Sequence, residues 1–270
     1  MKLSVTVVTV PAADAELGAD RLMQAGAFAV EERAAAGGMV ELWAVLGESQ
    51  PATGARLGEL PATWSLRTES VDTTPADTWR EHVVPVPIAD DLVVRPAWLS
   101  PLDHGVTEVV IEPGATFGLG DHPTTRLSAA AVWRMRPAPD RVLDVGTGSG
   151  VLAIVAALAG ARSVTAIDIA DVSPDVVRDN AIRNGVADRI AASTTPLAEV
   201  DGTFELVVAN ILAPQLIALA SDLRRVTASG GSLVVSGVLA SRYDHVLAAL
   251  APMEVVDVNE LDGWSAVELR

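Results

Sequence analysis

The densest chemical signal in this sequence is the segment Val142-Leu143-Asp144-Val145-Gly146-Thr147-Gly148-Ser149-Gly150. An apolar run that reads as a buried strand enters three alternating glycines and then an Ala-rich helix. Glycines at such a turn let the backbone approach a ligand closely, and the helix start offers free N–H groups. The ordinary alternative is a glycine-rich strand-to-helix turn that binds nothing. Two features favour a ligand. The spacing is G-x-G-x-G rather than the G-x-G-x-x-G of dinucleotide sites, and Asp144 precedes the first glycine by two. Asp168 then closes the next strand, where an acidic side chain can hold both hydroxyls of a ribose.

Two other places carry polar residues at suggestive positions. Phe117-Gly118-Leu119-Gly120-Asp121-His122-Pro123-Thr124-Thr125 reads as a glycine-containing loop leading into a helix, with Asp121 or His122 near the cap and Pro123 in the first turn. His122 alone is more often structural than a base. Asn210 follows an apolar strand; it is either a turn residue or a ligand contact at the carboxyl edge of a sheet, where ligands bind in α/β folds. His82, His104 and His245 have no metal-ligand spacing, and no metal site is expected.

The elements that must position these residues follow from periodicity. Leu3 to Val10 reads as a strand and Pro11 to Ala25 as a break followed by a helix. Ala27 to Arg33 and Met39 to Leu46 read as a strand pair around Gly37-Gly38, Gln50 to Glu59 as a short helix, and Trp64 to Val71 as a last strand. That order, β-α-β-β-(α)-β, is ferredoxin-like. Residues 72–99, with Pro75, Pro85, Pro87, Pro96, Trp79 and Trp98, read as a linker packed on its neighbours.

Beyond it, strands are expected at Arg141 to Val145, Ser163 to Asp168, Phe204 to Asn210 and Ser232 to Ser236. Helices are expected at Ser149 to Ala159, Pro174 to Asn184, Gln215 to Val226 and Ala240 to Leu250. A closing strand pair falls at Val255 to Val258 and Ser265 to Leu269. Such alternation predicts a mostly parallel sheet covered on both faces, with an antiparallel edge.

Composition narrows the partners. The 270 residues are 50% hydrophobic, and 19 basic against 35 acidic residues leave a net charge of −16. So acidic a chain repels phosphate backbones, which disfavours nucleic acid and favours a basic protein or a cationic small molecule. The absence of cysteine excludes disulfides, thiolate nucleophiles and zinc–cysteine sites. The longest apolar run, Val151 to Ala159, is too short for a bilayer. A cytoplasmic protein without a membrane partner is expected; its oligomeric state is not legible.

The glycine turn, Asp144 and Asp168 together resemble the class I S-adenosylmethionine-dependent methyltransferases. The 117–125 segment, Val208-Ala209-Asn210-Ile211-Leu212-Ala213 and Ser236-Gly237-Val238-Leu239 sharpen this to a resemblance to the family that methylates ribosomal protein L11. The resemblance implies a substrate-recognition domain over residues 1–71, a linker over 72–99 and a class I (Rossmann-like) catalytic domain over 100–270. It implies S-adenosyl-L-methionine as methyl donor, and contacts to it from Thr125, Gly146, Asp168 and Asn210. Asp144, Gly148 and Gly150 belong to the same donor-binding turn, and Phe117 with Gly118 would wall the methionine portion.

Methyl transfer to a lysine or N-terminal amine of L11 would then be guided by the Asn210 side-chain oxygen and the Ile211 carbonyl. Leu119 stands where a small hydroxylated residue is usual, and Ala170-Asp171 where the family has Asp-Pro. A lysine methyltransferase of another protein, a small-molecule N-methyltransferase and a non-catalytic donor-sensing module are the competing expectations.

Overall fold

The computed structural model describes residues 2–46, 57, 60–72, 83–102, 105–114, 116 and 118–270. The chain divides into two compact units, residues 1–83 and 84–270. In the first, β1 (Lys2–Pro11), α1 (Ala15–Gln24), β2 (Ala27–Ala34), β3 (Met39–Leu46) and β4 (Ser65–Asp72) follow one another. The sheet order is β2-β3-β1-β4, and every pairing is antiparallel, the ferredoxin-like arrangement. Period-2 alternation turns Val8, Val10, Val40, Leu42 and Ala44 to one face, where Ala15 and Leu22 of α1 pack with Trp64. The helix expected over residues 50–59 lies outside the described residues except for Leu57, which is helical and buried.

The second unit opens with β5 (Val86–Ala89), β6 (Leu92–Pro96) and β7 (Thr107–Ile111), a small sheet of order β5-β6-β7. This corrects the expected linker: residues 86–96 are strands whose Val86, Leu92 and Val94 sit in the core. The prolines misled. Pro87 is exposed on the edge strand β5, where no ladder hydrogen bond is lost, and Pro96 ends β6. Residues 73–82 of that segment lie outside the described ones.

There follow α2 (Pro123–Arg134), β8 (Arg141–Val145), α3 (Val151–Leu158), β9 (Ser163–Ile167), α4 (Ser173–Arg183), β10 (Ile190–Ser193) and β11 (Phe204–Asn210). The chain closes with α5 (Ala213–Ala218), α6 (Ala220–Val226), β12 (Thr227–Leu239), α7 (Asp244–Leu250), β13 (Val255–Leu261) and β14 (Trp264–Leu269).

The large sheet has the order β10-β9-β8-β11-β12-β14-β13. It is parallel from β10 to β12, while β14 runs antiparallel to both β12 and β13. α2, α3 and α4 cover one face together with the small sheet, and α5, α6 and α7 cover the other. This is the class I methyltransferase architecture. The helix expected over Gln215 to Val226 is two helices that break at Leu219, and the one expected from Ala240 begins only at Asp244.

Two asparagines on α4 and at its C-terminal cap tie it to β7. Asn180 accepts from Glu112 N (2.9 Å) and donates to Glu112 O (3.0 Å); Asn184 accepts from Val110 N (2.8 Å) and donates to Val110 O (2.7 Å). One helical turn apart, the two amides pair with the strand as a neighbouring backbone would.

Among the described residues no helix is long and apolar enough to cross a membrane, and no group of three or more His, Asp or Glu is placed to hold a metal.

Candidate active site

Strand β8 delivers the glycine turn. Val142, Leu143 and Val145 are buried, so the strand is anchored up to the residue before Gly146. Gly146 N and Thr147 N both donate to Ile167 O (2.9 and 3.0 Å), hooking the turn onto the end of β9. Gly146, Gly148 and Gly150 have φ of 73°, 53° and 84°, the left-handed region that side chains avoid. Close packing also demands glycine: a Cβ at Gly146 would fall 2.3 Å from Ile211 Cγ2, and one at Gly150 3.0 Å from Val177 Cγ1. Gly150 caps α3 and its carbonyl accepts from Ile154 N (2.9 Å), so the helix starts at the turn as its Ala- and Val-rich sequence requires.

The two aspartates have different surroundings. Asp168 Oδ2 accepts from Gly148 N (2.8 Å) and Oδ1 from Ala170 N (2.9 Å). Its half-buried carboxylate is thereby fixed beside the turn, past the end of β9. Asp144 is 1% exposed and sits beneath the turn. Its Oδ2 accepts from Thr147 Oγ1 (2.6 Å) and Ala153 N (3.1 Å), while its Oδ1 has no hydrogen-bond partner among the described residues. Burial, reinforced by the nearby charge of Asp168 and opposed by those two donors, pushes the Asp144 carboxyl up to about 7. Asp144 holds the turn to the start of α3 through these two bonds.

On the other side of β8, Asn210 ends β11. Its Nδ2 donates to Thr125 Oγ1 (3.4 Å), which is itself buried on the first turn of α2. The cap of α2 is His122: Thr124 N donates to His122 Nδ1 (3.3 Å), and Thr124 Oγ1 lies 2.8 Å from the same nitrogen. The His122 ring packs edge-on against Trp264 with centroids 5.1 Å apart. Burial pulls the His122 pKa down against the pull of Asp121, which favours the neutral ring.

Ile211, next to Asn210, lies against Gly146 on one side and Gly237 on the other. Gly237 has φ 90°, and a Cβ there would fall 2.2 Å from Ile211 O. Gly118 O accepts from Ser149 Oγ (2.6 Å), bringing the start of the 118–122 stretch to the glycine turn. Phe117 lies outside the described residues.

The structure thus joins Gly148 to Asp168, Asn210 to Thr125, Ile211 to Gly146 and Gly118 to Ser149. Ile169, directly after Asp168, is 89% exposed, an apolar side chain that the sequence reading did not single out. An apolar residue following the strand-end carboxylate was the available signal. The sequence reading also missed Ser149, buried within the glycine turn itself.

The profile of the ribosomal protein L11 methyltransferase family matches residues 39–270. The ribosomal protein L11 methyltransferase of Citrifermentans bemidjiense is 43% identical over 202 residues, 72% of this chain and 66% of that protein, so this match spans just under two thirds of its length. The protein of the same name from Geobacter sulfurreducens is 38% identical over 239 residues, 87% of this chain and 77% of that one. A crystal structure of a ribosomal protein L11 methylase from Lactobacillus delbrueckii subsp. bulgaricus superposes with a TM-score of 0.64 at 34% identity, covering 69% of this chain and 97% of that one. With the profile running from β3 through the whole glycine turn, Asp168 and Asn210, this chain belongs to the ribosomal protein L11 methyltransferase family.

Proposed function

We propose that this protein transfers methyl groups from S-adenosylmethionine to amino groups of ribosomal protein L11, on lysine side chains, the N-terminal amine or both. Residues 1–71 would recognise the protein substrate and the large-sheet unit would carry out the transfer. The observation that carries the reading is the pair of fixed polar groups flanking one glycine turn: Asp168 on Gly148 at one side, Asn210 on Thr125 at the other.

The residues present fit the donor. The turn is free of side chains at 146, 148 and 150, and Asp168 offers a half-buried carboxylate to a ribose diol. Exposed Ile169 offers an apolar surface to a flat base. S-adenosylmethionine supplies, when bound, a methyl on a positively charged sulfur that leaves as a neutral thioether in an in-line displacement.

The chain's own task is to hold the acceptor amine in line, about 3–3.5 Å from the carbon it attacks. A lysine ammonium has no lone pair and an ordinary pKa of about 10.4, so it must first lose a proton, which an apolar, cationic surrounding favours. Asn210 gives its Nδ2 to Thr125, which leaves Oδ1 to accept from the amine. The Ile211 carbonyl is a second acceptor. Two acceptors on the N–H groups aim the remaining lone pair without acting as strong bases. His122 spends its Nδ1 on the cap of α2, so it contributes by placing Thr125 rather than by taking the proton.

The test is Asn210→Ala, read by calorimetry with S-adenosylmethionine and by mass spectrometry of L11 after incubation. Donor affinity is expected to fall by no more than about tenfold, while turnover falls by about a hundredfold or more. Unchanged turnover would refute the role given to Asn210.

A further inference from the structure

Two hydrogen bonds that converge on Ser149 are not explained by the glycine turn alone. Ser149 is fully buried, and its hydroxyl donates to Gly118 O at 2.6 Å. Its own carbonyl accepts from Asn180 Nδ2 at 3.0 Å, and Asn180 is also fully buried. The same Asn180 amide pairs in both directions with the peptide of Glu112, at 2.9 and 3.0 Å. One end of the segment that leaves β7, at Glu112, and its later residue Gly118 are therefore both tied to a single residue of the donor turn, from α4 and from the turn itself.

The fit at Gly118 is close. It has φ 104°, and a Cβ there would fall 2.9 Å from Ser149 Oγ, so a side chain would displace the Ser149 hydroxyl from its bond. The hydroxyl reaches a half-buried carbonyl 31 residues away, and losing it leaves that carbonyl without this hydrogen bond.

We propose that Ser149 is a positioning residue for the methyl donor: its hydroxyl fastens the Gly118 backbone to the glycine turn, and Asn180 fixes the Ser149 peptide from beneath. The inference rests on the reading that this turn binds S-adenosylmethionine. Ser149 acts through the position of Gly118, not by touching the reacting atoms. When the hydroxyl is lost, the Gly118 carbonyl loses its hydrogen bond and the Gly118 backbone and the glycine turn are free to move apart, so affinity for the methyl donor suffers while the protein-substrate side of the site, around Asn210, is untouched.

The test uses the full-length protein and four forms: wild type, Ser149→Ala, Gly118→Ala and the double variant. S-adenosylmethionine and its demethylated product are titrated calorimetrically, and the melting temperature of each form is recorded without ligand. The expectation is an affinity loss of about tenfold in Ser149→Ala, with the KM for L11 unchanged. Because both substitutions break one contact, the double variant should bind no more weakly than the weaker single variant.

A purely structural serine would lower the melting temperature and leave affinity within about twofold of wild type; that result overturns the proposal, as does a double variant whose losses multiply. Should Ser149→Ala fold poorly, Gly118→Ala alone gives the same readout from the opposite partner. Failure of the wild type itself to bind the donor would instead overturn the reading of the turn on which this one stands.

Discussion

A carboxylate cut off from water is costly to ionise, and Asp144 carries one beneath the turn. Its folded pKa, about 7, lies above the value of an unfolded aspartate, near 3.9. Below pH 4 the group is neutral in both states and contributes nothing. Between about pH 4 and 7 the unfolded chain releases the proton first, so the folded state loses stability as pH rises; above 7 the loss is complete and constant. Asp144→Asn, which can still accept from Thr147 and Ala153, is expected to flatten the fall in melting temperature between pH 5 and 8 relative to wild type. Parallel slopes in the two proteins would show that Asp144 ionises freely.

At this scale the sequence was informative about types and poor about partners. Three alternating glycines and an aspartate ending the next strand stood out because their spacing is local. That Ser149 reaches Gly118 and Asn180 depends on contacts spanning 31 residues each, and that Asp144 points inward depends on its burial beneath the turn; no local pattern encodes either.

Among the elements, β12 does more than complete the sheet. Its register against β14 shifts between Ser236 and Val238, and Gly237 occupies the irregularity with its backbone against the Ile211 peptide. The end of β11 is thus wedged between the glycine turn and this bulge, which sets the direction of the Ile211 carbonyl. Gly237→Ala would place a methyl 2.2 Å from that oxygen, and the near atoms, Ile211 O, C and N, are all backbone, which leaves little room to relax. Single-turnover methylation is expected to slow by about tenfold or more, with donor affinity retained. Equal loss of both would mean that the bulge supports the whole sheet rather than the acceptor side.

Strongly apolar elements such as β8, β11 and α3 were legible because buried parallel strands and helices read as continuous hydrophobic runs. β10, Ile-Ala-Ala-Ser, was missed because four weakly patterned residues at a sheet edge give neither alternation nor a run. β5 and β6 read as a linker because proline tolerated at an edge looks, in sequence, like proline that breaks a strand.

Across the whole molecule, the charge of −16 is the property that bears on the partner. If the proposed substrate is basic, its attraction to this acidic chain acts over a Debye length of about 8 Å at physiological salt and weakens as salt is added. The KM for L11 is therefore expected to rise several-fold between about 50 and 500 mM salt, with donor affinity nearly constant. A salt-independent KM would assign recognition to apolar contacts. The division into two units was legible from the switch in pattern, antiparallel and ferredoxin-like before residue 72, alternating strand and helix after it. Where the second unit begins was not, since its first sheet is built from the proline-bearing stretch.

The central claim is that the turn from Gly146 to Gly150, with Asp168 beside it, holds a methyl donor whose methyl goes to an amine of L11. The most direct check is titration of the folded full-length protein with S-adenosylmethionine, followed in the same sample by intact-mass measurement of added L11, with Asp168→Ala as the paired variant. Saturable binding at one site, L11 heavier by whole methyl groups, and loss of both in Asp168→Ala are expected. A folded wild type that neither binds the donor at millimolar concentration nor adds mass to L11 would contradict it.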